Sequence, residues 1–141
     1  MLIDATDLVL GRMASHVAKR LLEGEEITIV NAENAVISGR REFTFSERDA
    51  WMKIRNLVNP RKGPLHPRRP EDLVRRAVRG MLPYKKPRGS RAYRRLRVHI
   101  GLPAEFTDSE AKSIPWAHLE RLGTRRFITI EKLSKHLGAK F

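Results

Sequence analysis

The sequence predicts a single α/β domain, and three observations support this. A short apolar strand, an amphipathic helix and a second apolar strand follow one another in the N-terminal third, which is the order of a crossover unit between parallel strands. The 141 residues are 40% hydrophobic, which is enough to build a core. The sequence has no internal repeat and no low-complexity tract, so residues 1–141 are expected to form one domain.

The first unit runs from the N-terminus to residue 30. Leu2, Ile3 and Ala5 make a short apolar strand, and Ile27–Val30 is a β-branched strand without polar alternation, as expected when both faces are covered. Between them, apolar residues recur at helical spacing: Leu10, Met13, Ala14, Val17, Ala18, Leu21 and Leu22. Gly24 follows as a C-terminal helix cap. The pattern predicts a right-handed crossover between two parallel strands.

A further strand and a second helix are predicted next. Ala35–Ser38 is a candidate strand before Gly39. Ser46 followed by Asp49 resembles a capping box and predicts a helix start. The apolar stripe of that helix would comprise Trp51, Ile54, Leu57 and Val58.

The middle of the chain combines loops and helices that are rich in arginine. Asn59–Arg69 contains three prolines, four Lys and Arg residues and one histidine, and predicts an extended basic loop. Pro70 suits the first position of a helix and Gly80 suits the residue after its end. The apolar face of this helix would hold Leu73, Val74, Ala77, Val78 and Met81, and its opposite face Arg75, Arg76 and Arg79.

Met81, Leu82 and Pro83 are predicted to anchor the basic region to the core. A second basic loop, Tyr84–Gly89, precedes a short helix that Ser90 would cap, with Arg91, Arg94 and Arg95 exposed. Arg97–Ile100 alternates like a strand. The pattern in 104–126 is weak, with a short helix expected around Trp116, Leu119 and Leu122. Then 127–130 is expected to be strand or turn, and 131–137 a helix closed by Gly138.

Positive charge is concentrated in one third of the chain, from Lys53 to Arg97, which we call the basic segment. It holds sixteen Lys and Arg residues against two acids, a net charge of +14. The other 96 residues carry thirteen bases and fourteen acids, so the whole chain has a net charge of +13. Such a segment repels itself unless a polyanion neutralises it, which points to nucleic acid and, ranked below it, to an anionic membrane.

The kind of base and its distribution favour RNA over DNA. Most bases of the basic segment are arginines, whose planar guanidinium grips phosphates and stacks on bases. They are spread over loops, helices and a proline-rich stretch rather than along one recognition helix. This spread suits a partner recognised by its folded shape and backbone.

The sequence lacks the common marks of catalysis. It has no cysteine, hence no disulfide, thiolate metal site or cysteine nucleophile. Neither the G-x-G-x-x-G fingerprint nor the G-x-x-x-x-G-K-[ST] loop occurs, and the five histidines are scattered. Among these, His66 in the basic loop is the one expected to contact RNA. No cofactor or metal is predicted.

Several motifs resemble those of the L-thirteen family of large-subunit ribosomal proteins. They are Asp4-Ala5, the stretch from Leu10 to Ser15, the stretch from Val30 to Glu33, Lys62-Gly63-Pro64, the stretch from Val78 to Pro83, the stretch from Arg94 to Val98, and Gly101-Leu102-Pro103. They cover almost the whole chain, whose compactness is similar to that of the archaeal branch.

The resemblance implies a three-layer α/β/α fold with a mainly parallel sheet of about four strands, no catalysis, and early entry into the large ribosomal subunit. The implied partners are large-subunit rRNA and neighbouring large-subunit proteins, with no membrane, small-molecule substrate or homo-oligomer, and the location is the cytoplasmic ribosome. The residues that it would set against RNA are Lys62, Arg68, Arg69, Arg75, Arg79, Lys85, Lys86 and Arg88. The arginine pattern adds Arg76, Arg91, Arg94 and Arg95.

Two alternatives remain open from the residues alone. An RNA-modifying or nucleotide-dependent enzyme could use the same α/β start, although the missing fingerprints speak against it. A regulator bound to another RNA or to DNA would share the composition and differ only in its partner. The N-terminus lacks a secretory signal, and no stretch reaches the ~18 apolar residues of a membrane span, so an intracellular protein is expected.

Overall fold

The computed structural model of the protein describes residues 1–106 and 111–141. Its strands and helices, in chain order, are β1 (Leu2–Asp4), α1 (Leu10–Glu23), β2 (Ile27–Val30), β3 (Val36–Ser38), α2 (Arg41–Lys53), α3 (Pro70–Met81), α4 (Pro87–Arg94), β4 (Leu96–Val98), β5 (Phe127–Thr129) and α5 (Ile130–His136). The predicted α/β class is confirmed.

Three parallel strands form the main sheet, in the order β1, β2, β4. Leu2 pairs with Thr28, and Ile27 pairs with Leu96. The central strand β2 has three of its four side chains buried, as its uninterrupted apolar character predicts. The helix α1 connects β1 to β2, so the predicted parallel crossover is present.

A second, two-stranded sheet accounts for the remaining strands of the described residues. In it β3 and β5 run antiparallel, with Val36 opposite Thr129. The N–H of Val36 donates to the oxygen of Leu8 at 2.9 Å and ties this pair to the residues before α1. The expectation of about four strands in one sheet is therefore corrected to three. Because β3 pairs with the C-terminal strand, it does not extend the parallel sheet.

The core is built around α1, which packs most extensively against α3. The buried residues of the two helices are Met13, Ala14, Val17, Ala18 and Leu21 from α1 and Pro70, Leu73, Val74 and Val78 from α3. Gly24 ends α1 with a φ of 107°, a left-handed conformation that glycine adopts without strain. The apolar periodicity thus identified the buried face of α1 and most of that of α3, where the predicted Met81 is exposed.

The helix α2 differs from its prediction. It begins at Arg41, so Ser46 and Asp49 lie inside it and do not cap its start. It ends at Lys53, and three residues of the expected stripe lie beyond it and are exposed: Ile54, Leu57 and Val58. The side chain of Asn56 accepts the N–H groups of Val58 and Asn59 at 3.2 and 3.1 Å, a local turn that competes with helix.

The bounds of α3 and α4 also need correction. Gly80 lies within α3, and Leu82 is the extended residue after its end. The helix α4 starts at Pro87, with Lys86 before it, so Ser90 is inside this helix and is not its cap. In both helices proline occupies the start, where its fixed φ suits the first turn and its missing N–H costs nothing.

The C-terminal third is irregular until β5. The expected helix around Trp116 is instead two short 3-10 turns, Pro115–Ala117 and Leu119–Arg121. Within 104–126, where the sequence pattern is weak, residues 107–110 lie outside the described residues. The strand β5 and the helix α5 match their predictions within one residue, and Gly138 follows with a φ of 83°. Within the described ranges no helix is long and apolar enough to cross a membrane.

Candidate nucleic-acid interface

The basic segment folds into the loop after α2, the helices α3 and α4, and the strand β4. Most of the predicted RNA-binding side chains lie in exposed positions: Lys62, Arg68, Arg69, Lys85, Lys86, Arg88, Arg91 and Arg94. Arg75, Arg76 and Arg79 are half-buried on α3. The segment therefore presents its charge to solvent from several elements at once.

Very little of this charge is neutralised within the protein. In residues 1–106 and 111–141, one ion pair involves the segment: Arg69 Nε lies 3.1 Å from Glu71 Oε1. A single pair with its arginine exposed contributes little to stability and leaves the surrounding field positive. The surface is thus suited to an external polyanion.

Three arginines of α3 are oriented by aromatic rings. Arg75 lies over Tyr93 at 5.4 Å and Arg79 over Tyr84 at 4.8 Å. Arg76 lies over Trp51 at 4.7 Å, and its Nη1 donates to the oxygen of Leu65 at 2.6 Å. These cation-π contacts hold the guanidinium groups in place before a ligand arrives.

The three arginines line a groove of about 320 Å³ together with residues of the preceding loop. The Nε of Arg75 is buried there without a hydrogen-bond partner, as is Nδ1 of His66. Asp72 also lies on the groove. The groove therefore offers donors and one carboxylate beside aromatic rings, a combination that can contact both phosphates and bases.

Arg95 faces the body of the protein. Its Nη2 donates to the oxygen of Leu21 at 2.7 Å, and its Nε is buried. That carbonyl is at the C-terminal end of α1, where a cation is favourable. The expectation that Arg95 is exposed is therefore wrong, whereas Arg91 and Arg94 are exposed as expected.

The anchor of the basic segment is narrower than predicted. Leu82 is buried, at 5% exposure, but Met81 is 44% exposed and Pro83 is exposed too. The oxygen of Pro83 accepts the N–H of Lys86, and a Cβ on Gly89 would lie 2.2 Å from that oxygen. Leu82 and this tight α3-to-α4 turn fasten the segment to the core, so Met81 and Pro83 are corrected to surface positions.

His66 is held by the protein itself. Its Nε2 lies 2.8 Å from the oxygen of Ile54, and its ring meets Trp51 edge-on at 4.3 Å. The ring therefore joins the basic loop to the end of α2. Its Nδ1 is buried without a hydrogen-bond partner, and the RNA contact of His66 stays a prediction.

Open α/β folds bind their ligands at the carboxyl edge of the parallel sheet. In this protein, internal hydrogen bonds occupy that edge. Asp4 Oδ1 accepts from the N–H and hydroxyl of Thr6 at 2.9 and 2.7 Å and from Asn31 Nδ2 at 3.0 Å. Burial raises the pKa of Asp4, but these hydrogen bonds outweigh it and leave the pKa below its ordinary value of 3.8.

The carboxylate of Glu33 makes hydrogen bonds at the same edge of the sheet. Both oxygens of Glu33 lie 3.1 Å from the N–H of Gly101, just after β4. The carboxylates at this edge thus join loops to one another. Among the described residues, no group of three His, Asp or Glu side chains could hold a metal ion.

Sequence reasoning overlooked basic residues outside the segment. Arg48 of α2 lies over the ring of Trp51 at 5.7 Å, the same ring that Arg76 contacts. Two arginine pairs, Arg40-Arg41 and Arg125-Arg126, meet at another cleft. The doublets were visible in the sequence, but their convergence depends on the pairing of β3 with β5.

Comparison with known proteins gives a consistent result. Residues 1–105 match the sequence profile described as "Ribosomal protein L13". The chain is 50% identical over 139 residues to the "Large ribosomal subunit protein uL13" of Methanococcoides burtonii, covering 99% of this chain and 98% of the relative. It is 49% identical over 140 residues to the protein of the same name from Methanocaldococcus jannaschii, with the same coverage. Identity to that from Archaeoglobus fulgidus is 44% over 137 residues, covering 96% of this chain and 86% of the relative.

Proposed function

The chain belongs to the ribosomal protein L13 family, and on that premise we propose that it is a structural constituent of the large ribosomal subunit. It binds and stabilises folded large-subunit rRNA through the basic segment, from an early stage of assembly. Membership of a ribosomal protein family confirms the prediction that the chain is not an enzyme.

The observation that carries the RNA-binding proposal is the nearly unneutralised basic segment. Sixteen bases face two acids in its sequence, and one of those acids makes the ion pair with Arg69. Self-repulsion of this size is relieved when phosphates take the place of the missing counter-charges. The orientation of Arg75, Arg76 and Arg79 by aromatic rings lowers the entropy lost when they bind.

The remaining partners follow from the same proposal. In the ribosome, neighbouring large-subunit proteins would lie around the chain, and exposed apolar residues between α2 and α3 offer contacts other than phosphate pairing: Leu57, Val58 and Leu65. Residues 1–141 act as one domain and one copy, without a membrane or a small-molecule substrate. Early entry into assembly suits a protein whose charge stabilises folded RNA before other proteins arrive.

The proposal is tested by the salt dependence of binding to a large-subunit rRNA transcript. The segment variant Lys85→Gln, Lys86→Gln, Arg88→Gln removes three exposed charges. Each lost phosphate contact lowers the slope of log K against log salt by about 0.7 to 0.9 units, so a fall of roughly 2 to 3 units is expected.

The matched control is Lys19→Gln, Lys132→Gln, Lys140→Gln, which removes three exposed charges from outside the segment. Its slope should stay close to that of the unaltered protein. Equal changes in the two variants would show that binding follows net charge alone, and the segment would lose its assigned role.

A further inference from the structure

A second cluster of arginines lies outside the basic segment. Arg40, Arg41, Arg125 and Arg126 line one cleft of about 520 Å³, with Gly39, Glu42 and Phe127 as its other lining residues. Two short stretches separated by more than eighty residues supply these side chains. The cleft is a product of the fold and not of a charge run.

The antiparallel pair β3 and β5 builds the cleft. Ser38, the last residue of β3, pairs with Phe127, the first residue of β5. One step further on, the N–H of Gly39 donates to the oxygen of Arg126 at 2.9 Å. The pairing thus brings Arg40 and Arg41, which follow β3, beside Arg125 and Arg126, which precede β5. Backbone hydrogen bonds of the strand pair hold the two stretches together.

The charge of the cleft is positive and unpaired. All four arginines are exposed, and in the described part of the chain none lies within 4.0 Å of a carboxylate oxygen. The lining of the cleft contains one acidic residue, Glu42. The cleft is also the N-terminal end of α2, where no side chain caps the helix and the dipole adds positive potential.

The same helix connects the cleft to the groove of the basic segment. Arg41 opens α2, and Trp51 near its other end contacts His66 and Arg76. Ten residues of helix at 1.5 Å each separate the two by about 15 Å. A nucleic acid lying along α2 would therefore meet positive charge at both ends of the helix.

We propose that the cleft formed by Arg40, Arg41, Arg125 and Arg126 is a second site for backbone phosphates of RNA, separate from the basic segment. This inference rests on the proposed function for its ligand. RNA fits better than an acidic protein because four guanidinium forks in one open cleft match the phosphates of a strand.

The test repeats the salt titration on the rRNA transcript with Arg40, Arg41, Arg125 and Arg126 all replaced by Gln. A fall in the slope of roughly 3 to 4 units is expected, since each of the four lost phosphate contacts removes about 0.7 to 0.9 units. Replacing the same four residues by Lys keeps the charge, and should keep most of the slope. An unchanged slope in a folded Gln variant would overturn the inference.

A second experiment does not alter the arginines. Because the chain has no cysteine, Thr124→Cys carries an iron chelate at the cleft and Asn59→Cys carries one at the basic loop. Hydroxyl radicals generated from the two positions should cleave different sets of rRNA nucleotides. Absence of cleavage from position 124, with cleavage from position 59, would overturn the second site.

The two proposals can fail separately. If the segment variant loses slope and the cleft variant does not, the proposed function stands and the second site is lost. If neither variant loses slope, the RNA-binding function itself fails. If both lose slope, and the variants combined lose the sum, two independent sites are established.

Discussion

At the residue scale, the neighbours of an arginine decide what it can do. Arg88 and Arg91 are exposed on α4, whereas Arg95, just after the same helix, donates to the oxygen of Leu21. In the sequence these residues are alike, because all three belong to one basic run. Only the position of the α1 terminus shows that Arg95 stabilises the fold.

The burial of Leu82 and the exposure of Met81 give a direct comparison. Leu82→Ala should lower the free energy of unfolding by about 2 to 5 kcal/mol, because it removes a buried side chain and leaves a cavity. Met81→Ala should cost less than about 1 kcal/mol, as is usual for surface positions. Urea denaturation measures both, and equal losses would contradict the assignment of Leu82 as the anchor.

Two helical glycines make a matched pair. Gly89→Ala should destabilise the protein, because the new Cβ would lie 2.2 Å from the oxygen of Pro83. Gly80→Ala meets nothing within 4 Å and should raise stability by up to about 1 kcal/mol through helix propensity. Thermal unfolding of the two variants checks this. A stabilised Gly89 variant would show that the turn from α3 to α4 is looser than described.

Asp4 links stability to pH. Its pKa in the folded protein is lowered, with burial opposed and outweighed by hydrogen bonds from Asn31 and Thr6. Its contribution is therefore present above the unfolded pKa and lost as the pH falls through the folded value. The stability difference between wild type and Asp4→Asn should shrink between about pH 5 and pH 2. Asp7→Asn is the control for loss of one nearby carboxylate, and a difference that does not vary with pH would contradict the account.

At the element scale, α2 is attached differently from the other long helices. Of its residues only Thr44 is buried, and Phe45 and Met52 pack against the core while only partly buried. Phe45 stacks on His136 at 4.0 Å, Asp49 lies 3.0 Å from the same ring, and Trp51 contacts His66. The attachment therefore combines limited apolar packing with a few ring contacts, each of modest strength.

Trp51→Ala should therefore loosen α2 more than it weakens the whole fold. The expected result is faster amide hydrogen exchange in α2 and the following loop, with little change in α1. Phe43→Ala is the control in the same helix, because Phe43 is 69% exposed and its removal should leave exchange unchanged. Uniformly faster exchange throughout the Trp51 variant would mean that α2 belongs to the main cooperative unit.

How well each element could be predicted depended on whether its signal was local. The bounds of α1 and its cap at Gly24 follow from apolar periodicity and one glycine. The start of α2 could not be predicted in this way, because the side chain of Arg40, the residue before it, does not cap the helix. The charge of the basic segment was evident, but the inward turn of Arg95 and the cleft between two doublets depend on contacts made by distant parts of the chain.

At the scale of the whole molecule, the protein is a near-neutral α/β body that carries a surface of unpaired cations. Hydrogen bonds of Asp4 and Glu33 occupy the carboxyl edge of its parallel sheet, and the exposed charge of the basic segment lies on α3, α4 and the loops beside them. Under the proposed function, the body supplies stability and the surface contacts RNA. The central claim is that this surface holds the chain in the large ribosomal subunit.

One measurement tests that claim most directly: quantifying this protein against established large-subunit proteins across a density gradient of native lysate, at moderate and at high salt. The account predicts equimolar co-sedimentation with the large subunit that survives the high-salt gradient. Substoichiometric association, or loss of the protein from the subunit at high salt, would contradict it.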